Sequence, residues 1–250
     1  MGFRDKVPKK ALTASNLAQQ LGDGAFKGYA EELPQIGATV EFAKTNSKGK
    51  HLYARKHVPW ISFNNIPNGA TIDDSANLSF AEFPQDAEGF SKLPSVSIVV
   101  PNQDNDMHNG KPPGSIQAGD NWLKDHLDRY YQWARDNNSL LIVTFDENDH
   151  ESLFGGLTDP AAKEPEDRNQ IATIFAGAHV KHGFEAPGRA THVNLLRTLE
   201  AMYGLPRSGA QQEKACAADI LDDFILTDVF EPLAQEAAKR STGTPVPEPK

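Results

Sequence analysis

Acidic side chains follow a short apolar segment near residue 145. Leu140–Phe145 leads directly into Asp146–Glu151, which contains four carboxylates, one amide and one imidazole. Ionised carboxylates at adjacent positions repel each other, and a divalent cation is the usual means of compensating them. Oxygen donors favour Mg²⁺, Ca²⁺ or Mn²⁺, and a histidine ligand extends the choice to Zn²⁺ or Fe. The segment therefore indicates a metal site, with a solvated acidic loop as the alternative.

A second polar segment follows the β-branched run Ser95–Val100. This segment, Pro101–Gly110, contains Asp106 and His108 only two residues apart. From one loop both side chains could reach one ligand, and an imidazole can protonate a leaving oxygen or bind a phosphate oxygen. The alternative is a polar turn that carries a surface histidine.

Cationic and titratable groups are concentrated in a third segment, Tyr53–Trp60. It contains Arg55, Lys56 and His57 in succession, although the chain as a whole is acidic. A guanidinium fork and an imidazole both suit a phosphate group. The alternative is a basic surface loop with the Trp60 ring packed in the core.

A further histidine, His192, opens the last predicted helix. A helix N-terminus favours an anion because its first N–H groups lack intrahelical partners. The alternative is a histidine near a helix cap that has no functional role.

Strands and helices that would position these segments alternate along the chain. Short apolar strands separated by amphipathic helices indicate an α/β fold, with a mainly parallel sheet and helices on both faces. In such folds ligands bind beyond the carboxyl ends of the strands, and the segments after the predicted strands are Pro101–Pro113, Asp146–Glu151 and Gly177–Gly183. The predicted strands are Ala25–Ala30, Ser95–Val100, Leu140–Phe145 and Ile171–Ala176, and the predicted helices are Ser15–Leu21, Asp120–Asn137 and Thr191–Tyr203. Ser15, Asp120 and Thr191 are the N-cap candidates, and Gly204 is a helix stop signal.

Composition excludes several classes of protein. The 250 residues include 25 Lys and Arg against 34 Asp and Glu, a net charge of −9, so bulk electrostatic binding to nucleic acid or anionic lipid is not the main activity. A local basic pocket for a phosphate remains compatible with this balance. The single cysteine, Cys216, excludes an intrachain disulfide and a cysteine-based zinc site. No apolar run approaches the roughly 18 residues that a transmembrane helix needs.

The two ends of the chain differ in composition from the rest of it. We expect a frayed start over residues 1–12, one α/β domain over residues 13–232 and a polar, proline-rich tail over residues 233–250. Met1–Lys10 is charged and lacks the apolar core of a signal peptide, so the chain as written is expected to be cytoplasmic.

Six sequence segments occur in a fixed order that is similar to a known family. They are NLAQQL with GYAEELP, then YARKHVPW, PNQDNDMHNG, GDNWLKDHLDRYYQWARDNNSLLIVTFDEND, IATIFAGAHVK and THVNLLRTLEAMYGLP. This series, from Ala14 to Pro206, resembles the phosphoesterase family of acid phosphatases and non-specific phospholipases C. That family belongs to the alkaline-phosphatase-like superfamily. The resemblance implies a metal-dependent hydrolase whose substrate is a small phosphate ester or a phospholipid headgroup.

Family roles can be transferred to matching positions of this sequence. The resemblance implies that Asp146 and Glu147 are metal ligands. His57 and His108 would lie near the transferred phosphate, with Asp106 in the same DMH motif. His192 matches the histidine that precedes the family's last helix. Within the matching KHVPW segment, Lys56, together with Arg55 beside it, is expected to bind substrate.

Family members also contain features that are not found in this sequence. They begin with a strand that ends in a Glu-Asn metal-binding pair, followed by a Ser or Thr nucleophile that forms a covalent phosphoenzyme. We therefore expect this chain to lack the family's first strand, and Asn109 stands where the family pattern has an acidic residue. The alternative function is a catalytically incompetent remnant that keeps a metal or phosphate site. With an N-terminal extension, the resemblance would imply a secreted or periplasmic protein.

Overall fold

The computed structural model describes residues 8–147, 171–188, 190–208 and 225–231. These residues fall into two compact units. The first contains residues 8–127, 190–208 and 225–226, and the second contains residues 128–147, 171–188 and 227–231. The single domain expected over residues 13–232 and the frayed start stay predictions, and the proline-rich tail lies outside the described residues.

Helices and strands alternate along the described chain. None of the helices in these residues is long and apolar enough to cross a membrane. In chain order the elements are α1 (Leu17–Leu21), β1 (Phe26–Ala30), β2 (Phe42–Thr45), β3 (His51–Ala54), β4 (Asn77–Ser79), α2 (Ala87–Phe90), β5 (Val96–Val100), α3 (Gly114–Asp136), β6 (Leu140–Thr144), β7 (Thr173–Gly177) and α4 (His192–Met202).

A parallel sheet forms the centre of the first unit. Strand β1 lies between β4 and β5 and pairs in parallel with both, so Tyr29 stands opposite Leu78 on one side and Val99 on the other. This arrangement confirms the α/β fold with a parallel sheet and helices. Because the three strands run in one direction, the segments that follow them leave the sheet at the same edge.

Strand β5 is less buried than its sequence predicts. The run Ser95–Val100 predicts a buried strand, which is wrong, since every residue of β5 is partly exposed and Ile98 is 41% exposed. Among the described strands, β5 pairs only with β1. Its β-branched residues therefore indicate a strand correctly but not the extent of its burial.

A buried tryptophan anchors the chain that follows β3. Trp60 lies against Gly28 of β1 so closely that a Cβ at this glycine would overlap the indole ring. The indole Nε1 donates to Oδ1 of the fully buried Asn77 at 3.0 Å, and the Asn77 amide in turn donates to the carbonyl of Ala38. Because both polar groups are satisfied, this part of the core holds Trp60 in one orientation.

Strands β2 and β3 form an antiparallel hairpin that the sequence reasoning did not predict. Phe42 pairs with Ala54, and Thr45 pairs with His51. Asn46 closes the turn, because its side-chain oxygen accepts the backbone N–H groups of Lys48 and Lys50. Asparagine favours such turns through this local hydrogen bonding. The second strand of the hairpin, β3, leads directly into Arg55–His57.

The second unit is built on an antiparallel pair. Strand β6 pairs with β7 from Leu140 opposite Gly177 to Thr144 opposite Thr173. The sequence indicated a mainly parallel sheet, whereas β6 and β7 form a separate two-stranded antiparallel sheet. The hydroxyl of Tyr130 on α3 donates to the carbonyl of Leu140 and so ties the helix to the start of β6.

Cap signals located both ends of α4 correctly and the starts of two other helices incorrectly. Thr191 caps α4 through a reciprocal pair of hydrogen bonds with Asn194, and Gly204 follows this helix with a φ of 64°, as expected. The predicted caps Ser15 and Asp120 are wrong. Asn16 caps α1, and α3 begins six residues before Asp120. The start of α3 was placed too late because the first turn of this helix carries no apolar periodicity.

A buried phenol makes the stability of the first unit sensitive to alkali. Tyr53 is 3% exposed, its hydroxyl has no hydrogen-bond partner among the described residues, and burial raises its pKa to about 12. Unfolding exposes the phenol, whose pKa then returns to about 10. The unfolded chain therefore loses this proton first, and stability present below pH 10 is lost between about pH 10 and 12.

We expect Tyr53→Phe to remove about 1.4 kcal/mol of the loss between pH 7 and pH 11, and to raise stability at pH 7 by about 1 kcal/mol because no unpaired hydroxyl remains buried. Urea unfolding at pH 7 and pH 11 measures both changes. Tyr29→Phe should remove a similar part of the loss, since burial also raises the pKa of Tyr29 to about 12. An alkaline loss in Tyr53→Phe as large as in the wild type would contradict the prediction.

Candidate active site

His57 and Asp106 form the centre of the site. His57 ends the short 3-10 turn Arg55–His57, which follows β3, whereas Asp106 lies on the loop after β5. Nδ1 of His57 lies 3.3 Å from Oδ2 of Asp106, and the two side chains are 17% and 18% exposed. Because Nδ1 faces the carboxylate, Nε2 is the ring nitrogen that can meet a ligand.

His108 joins this pair through the same carboxylate. Oδ1 of Asp106 accepts the backbone N–H of His108 at 2.9 Å, and the imidazole rings of His57 and His108 have centroids 5.6 Å apart. Met107 between them has a φ of 74°, in the left-handed region that side chains rarely adopt. We call His57, Asp106 and His108 the histidine site. The structure brings together three of the four predicted catalytic residues.

Glu31 tethers the loop that carries Asp106 and His108. It directly follows β1, and its carboxylate accepts the backbone N–H of Asn102 at 2.9 Å and the side-chain amide of Asn105 at 3.0 Å. The sequence reasoning missed this residue. Its position could have indicated it, because Glu31 directly follows the carboxyl end of the predicted strand Ala25–Ala30, where ligands bind in such folds.

Asn109, the departure from the family pattern, has a structural explanation. Its side-chain amide donates to Asp104 at 2.8 Å and to the carbonyl of His51 at 3.2 Å. The Asp104 carboxylate also accepts from the side-chain amide of Asn46 at 2.9 Å. An acidic residue at 109 would bring a second carboxylate to Asp104 without a donor, so the amide fits this network better.

The remaining candidates for binding substrate, Arg55, Lys56 and His192, lie in the first unit. Nη1 of Arg55 donates to the carbonyl of Thr39 at 3.4 Å, and Nε of Arg55 is buried without a hydrogen-bond partner among the described residues. Lys56 stands between Arg55 and His57 in the same 3-10 turn, and the exposed His192 is the first residue of α4. Roles for these three residues in substrate binding stay predictions.

Asp146 and Glu147 belong to the second unit and follow β6 after one residue, Phe145. Both are exposed, and their adjacent carboxylates are donors of the kind that hard divalent cations prefer. Their chemistry suits a divalent cation, and their role as metal ligands stays a prediction. No group of three or more His, Cys, Asp or Glu suitable for a metal occurs in the part of the chain that the structure describes. The rest of the acidic segment, 148–151, lies outside that part.

Fold and site together define an α/β protein with a histidine–aspartate pair at the carboxyl edge of a parallel sheet. The Phosphoesterase family model matches residues 3–206, most of the chain. The chain belongs to this family, and the resemblance drawn from its sequence motifs is confirmed.

Three curated relatives are similar to this chain. A Mycobacterium tuberculosis protein named phosphatidylinositol-3-phosphatase is 43% identical over 222 residues, which cover 88% of this chain and 63% of that protein. A probable acid phosphatase of Kluyveromyces lactis is 28% identical over 206 residues, and a phosphate-repressible acid phosphatase of Penicillium chrysogenum is 28% identical over 202 residues. Each of these two alignments covers 77% of this chain and 42% of the relative. The chain thus spans about two fifths to three fifths of their lengths, and no solved structure matches it.

Proposed function

We propose that this chain hydrolyses phosphate monoesters in the manner of an acid phosphatase. The observation that carries the proposal is the histidine site, in which one carboxylate contacts His57 and fixes the backbone of His108. Two imidazoles with ring centroids 5.6 Å apart suit the oxygens of one phosphoryl group. Membership of the phosphoesterase family supports the same reaction class.

His57 is the proposed general acid. As the bond between phosphorus and the leaving oxygen breaks, its electron pair stays on that oxygen, which takes the proton from Nε2 of His57. The Asp106 carboxylate lies 3.3 Å from Nδ1, which favours the ring orientation that directs Nε2 away from the carboxylate. His108 donates to a phosphoryl oxygen, and Arg55, Lys56 and His192 are proposed to add positive charge around the phosphate.

We further propose the family's covalent phosphoenzyme pathway, in which a Ser or Thr hydroxyl displaces the leaving group and water then releases phosphate. No residue of this chain is assigned as that nucleophile. Asp146 and Glu147 are proposed to hold a divalent cation. Such a cation, when bound, supplies positive charge that stabilises the oxygens of a phosphoryl group.

A phosphoinositide is the proposed substrate class. The M. tuberculosis relative is named for removal of a phosphate from a phosphatidylinositol, and the two fungal relatives are named as acid phosphatases. All three names describe phosphatases rather than phospholipases, so we favour a monoester over the phosphodiester that a phospholipase C cleaves.

The first experiment measures hydrolysis of p-nitrophenyl phosphate over pH 4–9, with and without Mg²⁺, Ca²⁺, Mn²⁺ or Zn²⁺. Bis(p-nitrophenyl) phosphate serves as the diester control, and phosphatidylinositol 3-phosphate in detergent micelles tests the substrate class. We expect turnover of both monoesters and much slower turnover of the diester. A folded chain that binds inorganic phosphate in a thermal-shift assay but turns over no substrate would contradict the enzymatic proposal and support the binding remnant.

A glycine of α3 offers a test of how the loop is positioned. A Cβ at Gly119 would lie 2.6 Å from Cε of Met107 and 3.0 Å from the carbonyl oxygen of Asn105, whereas Gly114 has nothing within 4 Å of its Cβ position. Alanine favours a helix over glycine by about 1 kcal/mol, so neither change should weaken the helix itself.

We expect Gly119→Ala to lower kcat/KM for p-nitrophenyl phosphate by about 10–100-fold, because small displacements of reacting groups have effects of this size. The matched Gly114→Ala should leave kcat/KM unchanged. Equal activities in the two variants would show that Met107 and its loop tolerate the added methyl group.

A further inference from the structure

The β2–β3 hairpin presents apolar and cationic side chains together. Val40 and Phe42 are each 44% exposed, and Lys44, Lys48 and Lys50 are exposed close to them in the chain. We call these five residues the hairpin surface. The Phe42 ring is stacked on the imidazole of His51 with centroids 4.3 Å apart, so it is held in place although it is exposed.

Charge on this part of the chain is opposite to that of the whole protein. Residues 40–57 contain five Lys or Arg and one acidic residue, Glu41, for a net charge of +4 within a chain of net charge −9. The neighbouring Asp104 is engaged by the amides of Asn46 and Asn109. A positive patch with exposed apolar residues on an acidic protein suits an anionic surface that also has an apolar layer.

Hydrogen bonds connect the hairpin surface to the histidine site. The turn is fixed by Asn46, whose side-chain amide donates to Asp104 on the loop that also carries Asp106 and His108. The backbone N–H of Gln103 on that loop donates to the carbonyl of Leu52 in β3. Because β3 continues directly into Arg55–His57, the hairpin and the histidine site are joined by the chain as well as by hydrogen bonds.

We propose that the hairpin surface docks this protein on anionic phospholipid membranes and so brings the histidine site to lipid headgroups. The inference rests on the proposed function, whose substrate class it deepens. Each lysine near an anionic membrane strengthens binding about fivefold, and an aromatic ring such as Phe42 inserts at the level of the headgroups. The net charge of the whole chain opposes bulk adsorption, so binding depends on this surface.

Vesicle flotation tests the docking directly. The probes are phosphatidylcholine vesicles with and without phosphatidylserine, and the main variant combines Lys44→Gln, Lys48→Gln and Lys50→Gln. We expect the wild type to bind only the anionic vesicles, less at high salt, and the triple variant to bind them about 100-fold more weakly. The matched control changes three exposed lysines elsewhere, Lys10→Gln, Lys111→Gln and Lys124→Gln, and should bind as the wild type does. Phe42→Ala, checked by thermal melting, should also weaken binding.

Two activity measurements separate this proposal from the proposed function. The triple variant should hydrolyse soluble p-nitrophenyl phosphate at the wild-type rate, and should lose activity only on phosphatidylinositol 3-phosphate in anionic vesicles. Failure of the wild type on p-nitrophenyl phosphate would overturn the proposed function, whatever the vesicles show. Equal vesicle binding by the wild type and the triple variant, or equal binding to neutral and anionic vesicles, would overturn the docking proposal.

Discussion

His57→Ala is expected to lower kcat for p-nitrophenyl phosphate by about 10²–10⁴-fold, the range typical for loss of a general acid. The leaving oxygen would then receive no proton as its bond to phosphorus breaks. The side chain of His57 is 17% exposed and lies outside the aromatic core around Trp60, so the variant should fold. Steady-state kinetics, with thermal melting to confirm folding, measure the effect.

An exposed histidine elsewhere supplies the control for this experiment. His182→Ala, in the second unit and outside the proposed site, should retain wild-type kinetics. Asp106→Asn isolates the contribution of the carboxylate, because an amide oxygen can still accept the backbone N–H of His108. It should lower kcat less than His57→Ala and change the shape of the pH–rate profile. A His57→Ala variant with more than a tenth of wild-type activity would exclude His57 as the general acid.

Asp146→Asn is expected to weaken divalent cation binding and to lower activity by at least about 100-fold. The substitution keeps the size of the side chain but replaces a charged oxygen donor with an amide, which hard cations bind less well. Because Asp146 is exposed after the end of β6, the change should leave the fold intact. Isothermal titration with Mg²⁺, Ca²⁺, Mn²⁺ and Zn²⁺ measures binding independently of turnover.

Asp136→Asn is the matched substitution, since it removes an exposed aspartate at the end of α3 from the same unit. It should bind metal and hydrolyse substrate as the wild type does. Unchanged cation affinity in Asp146→Asn would refute the assignment of this carboxylate as a ligand. That result would favour a phosphate site in which the histidines alone supply the positive charge.

Sequence signals located the ends of a helix where those ends depend on neighbouring residues. Thr191 and Gly204 mark the two ends of α4 because capping depends on neighbouring residues only. The hairpin of β2 and β3 was missed because both strands have only four residues, β2 is largely exposed, and β3 buries only its last two residues, so neither strand has a clear apolar pattern. The antiparallel run of β6 and β7 likewise depends on chain reversal, which the apolar pattern of each strand does not encode.

The site could be predicted residue by residue but not as a network. His57 and Asp106 were candidates because of their types and motifs, yet nothing in their separate segments indicated a contact of 3.3 Å between them. Glu31 escaped notice because its function is to hold Asn102 and Asn105 in place, and such contacts across a sheet edge leave no local pattern. The family resemblance suggested what each residue does, whereas the structure showed which residues contact each other.

The bonds that assemble the histidine site also set the order in which it can form during refolding. The β2–β3 hairpin closes through hydrogen bonds between near neighbours, whereas Asn46 reaches Asp104 across 58 residues and Glu31 reaches Asn105 across 74. Contacts of such high sequence separation form slowly, since the intervening chain must first lose its conformational freedom. Recovery of catalytic competence should therefore coincide with pairing of β1 and β5, late in folding, and lag behind the appearance of the hairpin.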